Sequence, residues 1–105
     1  MQGIPEINIV QAKERIDQGG VTVVDIRDPH SYATARIPGA QHLSNNTFPD
    51  FLANTARDIP VIVCCYHGNS SKGATAYLLQ QGFKDVHSLS GGLESWRLQY
   101  QTEKG

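Results

Sequence analysis

The sequence predicts an α/β fold, with a mostly parallel sheet covered by helices on both faces. Strand-like and helix-like segments alternate along the 105 residues, which is typical of βαβ units. The stretch Val21 to Ile26 is rich in β-branched residues with little alternation, and Val61 to Cys64 is continuously apolar, as in strands that are buried on both sides. The length suits one domain, residues 1–105, with its own hydrophobic core.

The first half of the chain begins with a short strand over Ile7 to Ile9, or with Asn8 as the cap of a helix. That helix runs from about Val10 to Gln18 and ends at Gly19 and Gly20, because paired glycines terminate helices. The strand from Val21 is then interrupted by a proline. A short helix, a turn and a brief strand follow at residues 30–34, 37–40 and 41–43.

The second half repeats the alternation. A helix over 48–54 precedes the central strand candidate, 61–64, and a longer helix covers Ser71 to Gln81, with Ala74, Leu78 and Gln81 on one side. A strand at 86–89 leads through Gly91 and Gly92 into a helix. That last helix contains Leu93 and Trp96, extends towards Tyr100, and is followed by a polar tail at 101–105.

Composition excludes several classes of function. A formal net charge of -1, with nine Lys and Arg residues scattered along the chain, argues against nucleic acid as a partner. No apolar run approaches the roughly 20 residues that cross a bilayer, and Met1 to Glu6 lacks the features of a signal peptide. We therefore expect a cytoplasmic protein that has no membrane partner. The two cysteines are adjacent, match no zinc or redox spacing, and are expected to be reduced thiols.

Cys65 is the candidate nucleophile. It follows an apolar strand and opens a tight loop that leads into a helix near Ser71. Ligands of parallel sheets bind beyond the carboxyl ends of the strands. The backbone amides of such a loop and the positive end of the helix would lower the pKa of the thiol from its ordinary value of about 8.5. The position therefore predicts an activated thiolate.

The composition of the loop fits an anion cradle. Gly68 permits backbone angles closed to other residues, Asn69 tolerates the left-handed region, and the small Ser70 and Ser71 leave room for a ligand. Cys64 is the competing thiol, but consecutive strand residues face opposite ways, which favours a role as a small core residue. The predicted cradle is the backbone of Tyr66, His67, Gly68, Asn69, Ser70 and Ser71.

Four motifs in this order resemble the rhodanese family, and within it the small single-domain bacterial thiosulfate sulfurtransferases. The resemblance implies a mainly parallel sheet of five strands. It also implies a double displacement in which a loop cysteine takes the outer sulfur of thiosulfate, releases sulfite and holds a persulfide. The motifs are Val24 to Asp28, Arg36 to Ala40, Cys65 to Ser71, and Gly91-Gly92 followed by Trp96.

Carried onto this chain, the resemblance makes Cys65 the persulfide-forming residue, and the amides of residues 66–71 would hold the outer sulfur. The sulfur acceptor would be cyanide or a dithiol, for example on a thioredoxin-like protein. No cofactor and no metal are implied.

Two other functions share parts of this pattern. Cysteine phosphatases carry C-x5-R, but Ser71 stands where their arginine would be, and Lys72 next to it is only a point charge. A rhodanese module that only binds a partner protein is the second alternative, and the intact loop at Cys65 makes it the weaker one. A nucleotide-binding P-loop is excluded because residues after Gly73 do not match its template.

Several other residues have both a structural and a functional interpretation. His67 lies inside the loop and could add charge beside the sulfur, and Lys72 could attract thiosulfate. Arg27 is expected to form an internal ion pair with Asp25 and Asp28 rather than to bind substrate. Trp96 is expected in the core. The remaining histidines share no metal-ligand spacing and are expected to be surface or hydrogen-bonded residues: His30, His42 and His87.

Overall fold

A computed structural model describes residues 3–105, and these form the predicted parallel sheet with helices on both faces. The strands are β1 (Glu6–Ile7), β2 (Thr22–Asp25), β3 (Gln41–His42), β4 (Val61–Cys64) and β5 (Val86–Leu89). Their order in the sheet is β1-β5-β4-β2-β3, and every neighbouring pair is parallel. The central strand is β4, as its apolar composition predicts, and all four of its residues are buried.

Helices cover both faces of this sheet and divide the core into two layers. The helices are α1 (Ile9–Gln18), α2 (Pro29–Thr34), α3 (Phe48–Asn54), α4 (Ser70–Gln80) and α5 (Gly92–Gln99). Ile62 and Cys64 pack in the layer that contains residues of α1 and α5. Val61 and Val63 pack in the other layer, with residues of α3 and α4. The side chains of β4 thus alternate between the two faces of the sheet.

All predicted elements are present, with small shifts at their ends. β1 stops at Ile7 because Asn8 caps α1, accepting a hydrogen bond from Gln11 N at 2.8 Å. Asp28 caps α2 in the same way, with Pro29 as the first helical residue. α5 ends at Gln99, so Tyr100 lies just outside it.

Of the three residues predicted on one side of α4, only Leu78 is buried. Gln81 lies beyond the end of the helix and is exposed, and Ala74 is only half-buried. The buried residues of α4 are Ser71, Thr75 and Leu78. Two of these are polar, so an apolar pattern could not reveal that they face the sheet.

The polar tail is bound to the body of the protein rather than free. Arg36 and Glu103 pair through their backbones, with N···O distances of 3.0 and 2.9 Å. The Trp96 indole donates a hydrogen bond to Gln101 O at 2.9 Å. Glu103 also accepts a hydrogen bond from Gly39 N at 3.1 Å. The tail therefore holds the segment that follows α2.

Candidate active site

The loop between β4 and α4 reverses direction at Gly68. Its φ is +93°, and a Cβ at this position would lie 2.9 Å from Gly91 N, so any larger residue would be both strained and crowded. Asn69 tolerates the left-handed region but does not use it here, because its φ of -91° lies in the right-handed region. A single left-handed residue is enough to make this turn.

The Cys65 sulfur is enclosed by hydrogen-bonding groups. Gly68 N lies 3.1 Å, Ser71 N 3.3 Å and Ser71 Oγ 3.2 Å from Cys65 Sγ. Only 2% of Cys65 is exposed. Burial raises the pKa of this thiol, but the hydroxyl and amide of Ser71 and the amides of Gly68 and His67 outweigh it, so the pKa is lowered. The geometry therefore favours a thiolate.

The side chains of the cradle are mostly exposed. Tyr66 is 38% exposed, and its hydroxyl donates a hydrogen bond to Asp28 and lies 3.3 Å from Ser31 Oγ. His67, Asn69, Ser70 and Lys72 are exposed as well. The groups around the Cys65 sulfur are therefore backbone amides and the Ser71 side chain, which is the only one of these side chains that contacts it among residues 3–105.

The first turn of α5 holds the loop from the other side. Leu93 N donates to Cys65 O at 2.8 Å, and Glu94 N donates to Tyr66 O at 3.1 Å. A Cβ on Gly92, which has a φ of +59°, would lie 2.5 Å from both of these carbonyl oxygens. The two carbonyl groups that follow β4 are thus fixed by amides that would otherwise lack partners at the helix start. This role of the Gly91-Gly92 pair is not evident from the sequence.

Cys64 has the opposite environment. It is fully buried, and its thiol packs among the core residues of the α1 and α5 layer. Burial, followed by the negative charge of Asp25, raises the pKa of Cys64 far above the ordinary range of a thiol. The two adjacent thiols therefore have pKa values that are shifted in opposite directions.

Sequence reasoning missed two polar residues beside the cradle. Ser88 of β5 is fully buried, and its Oγ lies 2.6 Å from Ser71 Oγ. The hydroxyl of Thr75, one turn along α4, donates to Ser71 O at 2.7 Å. In the sequence, the only sign of Ser88 and Thr75 is that each is a polar residue among apolar neighbours of its strand or helix.

Arg27 forms the predicted internal ion pair, but with Asp25 alone. Arg27 Nη2 lies 2.7 Å from Asp25 Oδ2, and Arg27 Nε lies 3.0 Å from Asp25 Oδ1. Asp28 instead caps α2 and meets Tyr66. The guanidinium group also donates to Ala35 O at 2.5 Å, which ties the end of β2 to the end of α2.

Trp96 is 1% exposed, as expected for a core residue. His42 Nε2 lies 2.6 Å from Arg27 O, His87 Nδ1 lies 3.1 Å from Asp85 Oδ1, and His30 is exposed. Among residues 3–105 no group of three or more His, Cys, Asp or Glu side chains could hold a metal ion. No helix in that part of the chain has the length and apolar character to cross a membrane.

Comparison with known proteins connects this site to a family. A family model described as Rhodanese-like domain matches residues 8–99. Thiosulfate sulfurtransferase GlpE of Pseudomonas fluorescens is 54% identical over 93 residues, which are 89% of this chain and 84% of that protein. The protein of the same name from Stutzerimonas stutzeri is 54% identical over 84 residues, covering 80% of this chain and 77% of its own.

Solved structures share the fold at lower identity. The rhodanese-like domain of the Anabaena sp. Alr3790 protein matches with a TM-score of 0.86 at 23% identity, covering 100% of this chain and 81% of that one. A rhodanese-like domain protein from Staphylococcus aureus matches with a TM-score of 0.81 at 24% identity, covering 96% and 98%. These two matches show the fold alone.

Proposed function

Since the chain belongs to the family of rhodanese-like domains, we propose that it is a thiosulfate sulfurtransferase with Cys65 as its nucleophile. The curated relatives of that name cover most of the chain at 54% identity. The observation that supports Cys65 is the set of donors around its sulfur, which lowers the pKa of the thiol. A thiolate is the reactive form of cysteine in nucleophilic displacement.

The first half of the reaction loads the enzyme. The thiolate of Cys65 attacks the outer sulfur of thiosulfate and forms a new S–S bond. The bond between the two thiosulfate sulfurs breaks, and its electron pair leaves with sulfite. The products are sulfite and a persulfide on Cys65, and no proton transfer is needed because the leaving group is stable as an anion.

The second half passes the outer sulfur to an acceptor. Cyanide attacks that sulfur and leaves as thiocyanate, which returns the thiolate of Cys65. A dithiol acceptor, such as a thioredoxin-like protein, would take the sulfur as a persulfide on one thiol. Its second thiol would then displace the sulfur as hydrogen sulfide, so the dithiol is oxidised to a disulfide and the sulfur is reduced.

The backbone amides of residues 66–71 hold the outer sulfur of the persulfide in this proposal. Preorganised amides stabilise a negative charge without reorganising during the reaction. Their arrangement is supported from both sides, by the turn at Gly68 and by the bonds from α5. Lys72 is exposed, and its charge would attract thiosulfate over a distance rather than by contact.

The cytoplasm is the location that we propose. Cys64 and Cys65 are both free thiols, which suits a reducing compartment. The reaction itself also requires Cys65 to be reduced before each cycle.

The test compares two matched variants, Cys65→Ala and Cys64→Ala, with the unaltered protein. Thiocyanate and sulfite are measured after thiosulfate and cyanide are added. We expect Cys64→Ala to keep most of the activity and Cys65→Ala to lose all of it, because only the Cys65 sulfur lies in the cradle. Equal activity in both variants would refute the assignment.

The same proteins separate the other functions. Aryl phosphate should not be hydrolysed, because Ser71 rather than an arginine faces the sulfur and no bidentate clamp is available for a phosphoryl group. Rapid hydrolysis that depends on Cys65 would instead support a phosphatase. A protein that folds but never takes up sulfur from thiosulfate would be a binding module.

A further inference from the structure

Cys65 of the loop, Ser71 of α4 and Ser88 of β5 form a line of polar groups behind the cradle. Ser71 Oγ lies 3.2 Å from Cys65 Sγ on one side and 2.6 Å from Ser88 Oγ on the other. Ser71 belongs to α4 and Ser88 to β5, and both are 0% exposed. Buried hydroxyl groups need partners, and these two bind each other.

The charge of the sulfur fixes the direction of both hydrogen bonds. A hydroxyl group has one proton to donate and two lone pairs that accept. When Cys65 is a thiolate, Ser71 gives its proton to the sulfur, so Ser71 Oγ can only accept from Ser88. When Cys65 is a neutral thiol, both bonds can reverse. In a chain of hydrogen bonds within a low-dielectric interior, each bond polarises the next one and strengthens it.

We propose that Ser88 is a positioning residue that acts on Cys65 through Ser71: it donates to Ser71 Oγ and thereby holds the Ser71 hydroxyl as a donor to the thiolate. The inference rests on the proposed function only in taking Cys65 as the nucleophile. It adds a buried residue of β5, distant in sequence from the loop, to the groups that prepare Cys65 for attack.

Other titratable groups surround the site but do not join this line of hydroxyls. Within residues 3–105, none of their side chains forms a hydrogen bond with Cys65 Sγ, Ser71 Oγ or Ser88 Oγ. They are Asp25 of β2, Arg27 just after β2, Cys64 of β4, Tyr66 and His67 of the loop, Lys72 of α4, His87 of β5 and Glu94 of α5.

Thr75 offers a matched control. Its hydroxyl is buried beside Ser71, as that of Ser88 is, but it donates to the backbone oxygen of Ser71 rather than to the side chain. Thr75→Val removes this hydroxyl and keeps the shape of the side chain. A purely structural effect of losing a buried hydroxyl near Ser71 should therefore appear in Thr75→Val as much as in Ser88→Ala.

The experiment measures the rate of Cys65 alkylation by iodoacetamide against pH, with the modified residue identified by mass spectrometry. We expect Ser71→Ala to raise the pH at the midpoint of this alkylation profile. At pH values below the midpoint, it should lower the thiolate fraction of Cys65 about tenfold. Ser88→Ala should lower that fraction about threefold, and Ser88→Thr, which keeps the hydroxyl, should restore it. Thr75→Val should leave the midpoint unchanged.

The double variant Ser71→Ala/Ser88→Ala decides whether Ser88 acts through Ser71. We expect its midpoint to equal that of Ser71→Ala alone, because the route from Ser88 is already broken. A further shift in the double variant, or an unchanged midpoint in folded Ser88→Ala, would overturn the proposal. Alkylation needs no sulfur transfer, so this result and the thiosulfate assay can fail separately.

Discussion

Cys64 and Cys65 are neighbours in the chain, and their thiols have opposite chemistry. The side chain of Cys64 enters the apolar layer under α1 and α5, where a charge would be costly. That of Cys65 meets the amides of Gly68 and Ser71. Consecutive residues at the end of a strand face opposite ways, and here this places one thiol in the core and the other in the cradle.

This contrast predicts how stability depends on pH. The raised pKa of Cys64 means that the unfolded state loses this proton first. Above the ordinary thiol pKa of about 8.5, folding stability should then fall by about 1.4 kcal/mol per pH unit. The lowered pKa of Cys65 has the opposite sign: its stabilisation is complete above about pH 8.5 and is lost as pH falls through the folded pKa.

Urea unfolding at a series of pH values checks both signs. Relative to the unaltered protein, Cys64→Ala should lose less stability between about pH 8.5 and 10. Cys65→Ala should lack the gain in stability that occurs as pH rises towards about 8.5. Parallel curves for all three proteins would contradict the two environments described here.

At this scale the sequence predicted what depends on local geometry. The place of Cys65 at the start of the loop was predictable because an apolar strand precedes it, and the turn at Gly68 because the loop needs a left-handed residue. Ser88 was not, because its contact with Ser71 joins β5 to α4 across 17 positions of the chain. Such a contact depends on the order of strands in the sheet, which local patterns do not determine.

At the scale of elements, α5 is part of the site although none of its side chains touches the sulfur. Its first amides bind the carbonyl groups of Cys65 and Tyr66. Gly92 permits this approach, since a Cβ would lie 2.5 Å from both oxygens. The start of α5 thus fixes the peptide units of the loop that leads into α4.

Gly92→Ala should therefore damage both stability and activity. We expect a loss of about 1 to 3 kcal/mol in the free energy of unfolding. The fall in kcat/KM for thiosulfate should be at least about tenfold, because the peptide units beside Cys65 would shift. Denaturant unfolding and the thiocyanate assay measure the two effects.

Gly73→Ala is the control for this prediction. Gly73 lies within α4, and a Cβ there would meet no atom within 4 Å. The substitution should stabilise the protein by about 0.5 to 1 kcal/mol and leave kcat/KM unchanged. If Gly92→Ala behaved in the same way, α5 would have no role in shaping the loop.

The sequence predicted the order and the type of the elements. It predicted less accurately where the elements end and which of their residues are buried. Apolar periodicity located α4, but it could not show that Ser71 and Thr75 face the sheet. The polar tail was predicted from its composition, but its partners were not, because the pairing of Arg36 with Glu103 leaves no mark in local composition.

At the scale of the whole molecule, the topology brings the parts of the site together. β4 lies between β2 and β5, so its carboxyl end has a neighbour on each side. β5 contributes Ser88, and β2 with the residues just after it contributes the buried pair of Asp25 and Arg27. Solved rhodanese-like domains with 23 and 24% identity share this fold, so the arrangement of the elements persists when most of the sequence differs.

The most direct test of this account is the intact mass of the protein after incubation with thiosulfate and removal of excess reagent. We predict a gain of one sulfur atom, located on the peptide that contains Cys65, lost again on addition of cyanide and absent from Cys65→Ala. A folded protein that gains no sulfur, or that gains it equally in Cys65→Ala, would contradict the claim that Cys65 carries sulfur as a persulfide.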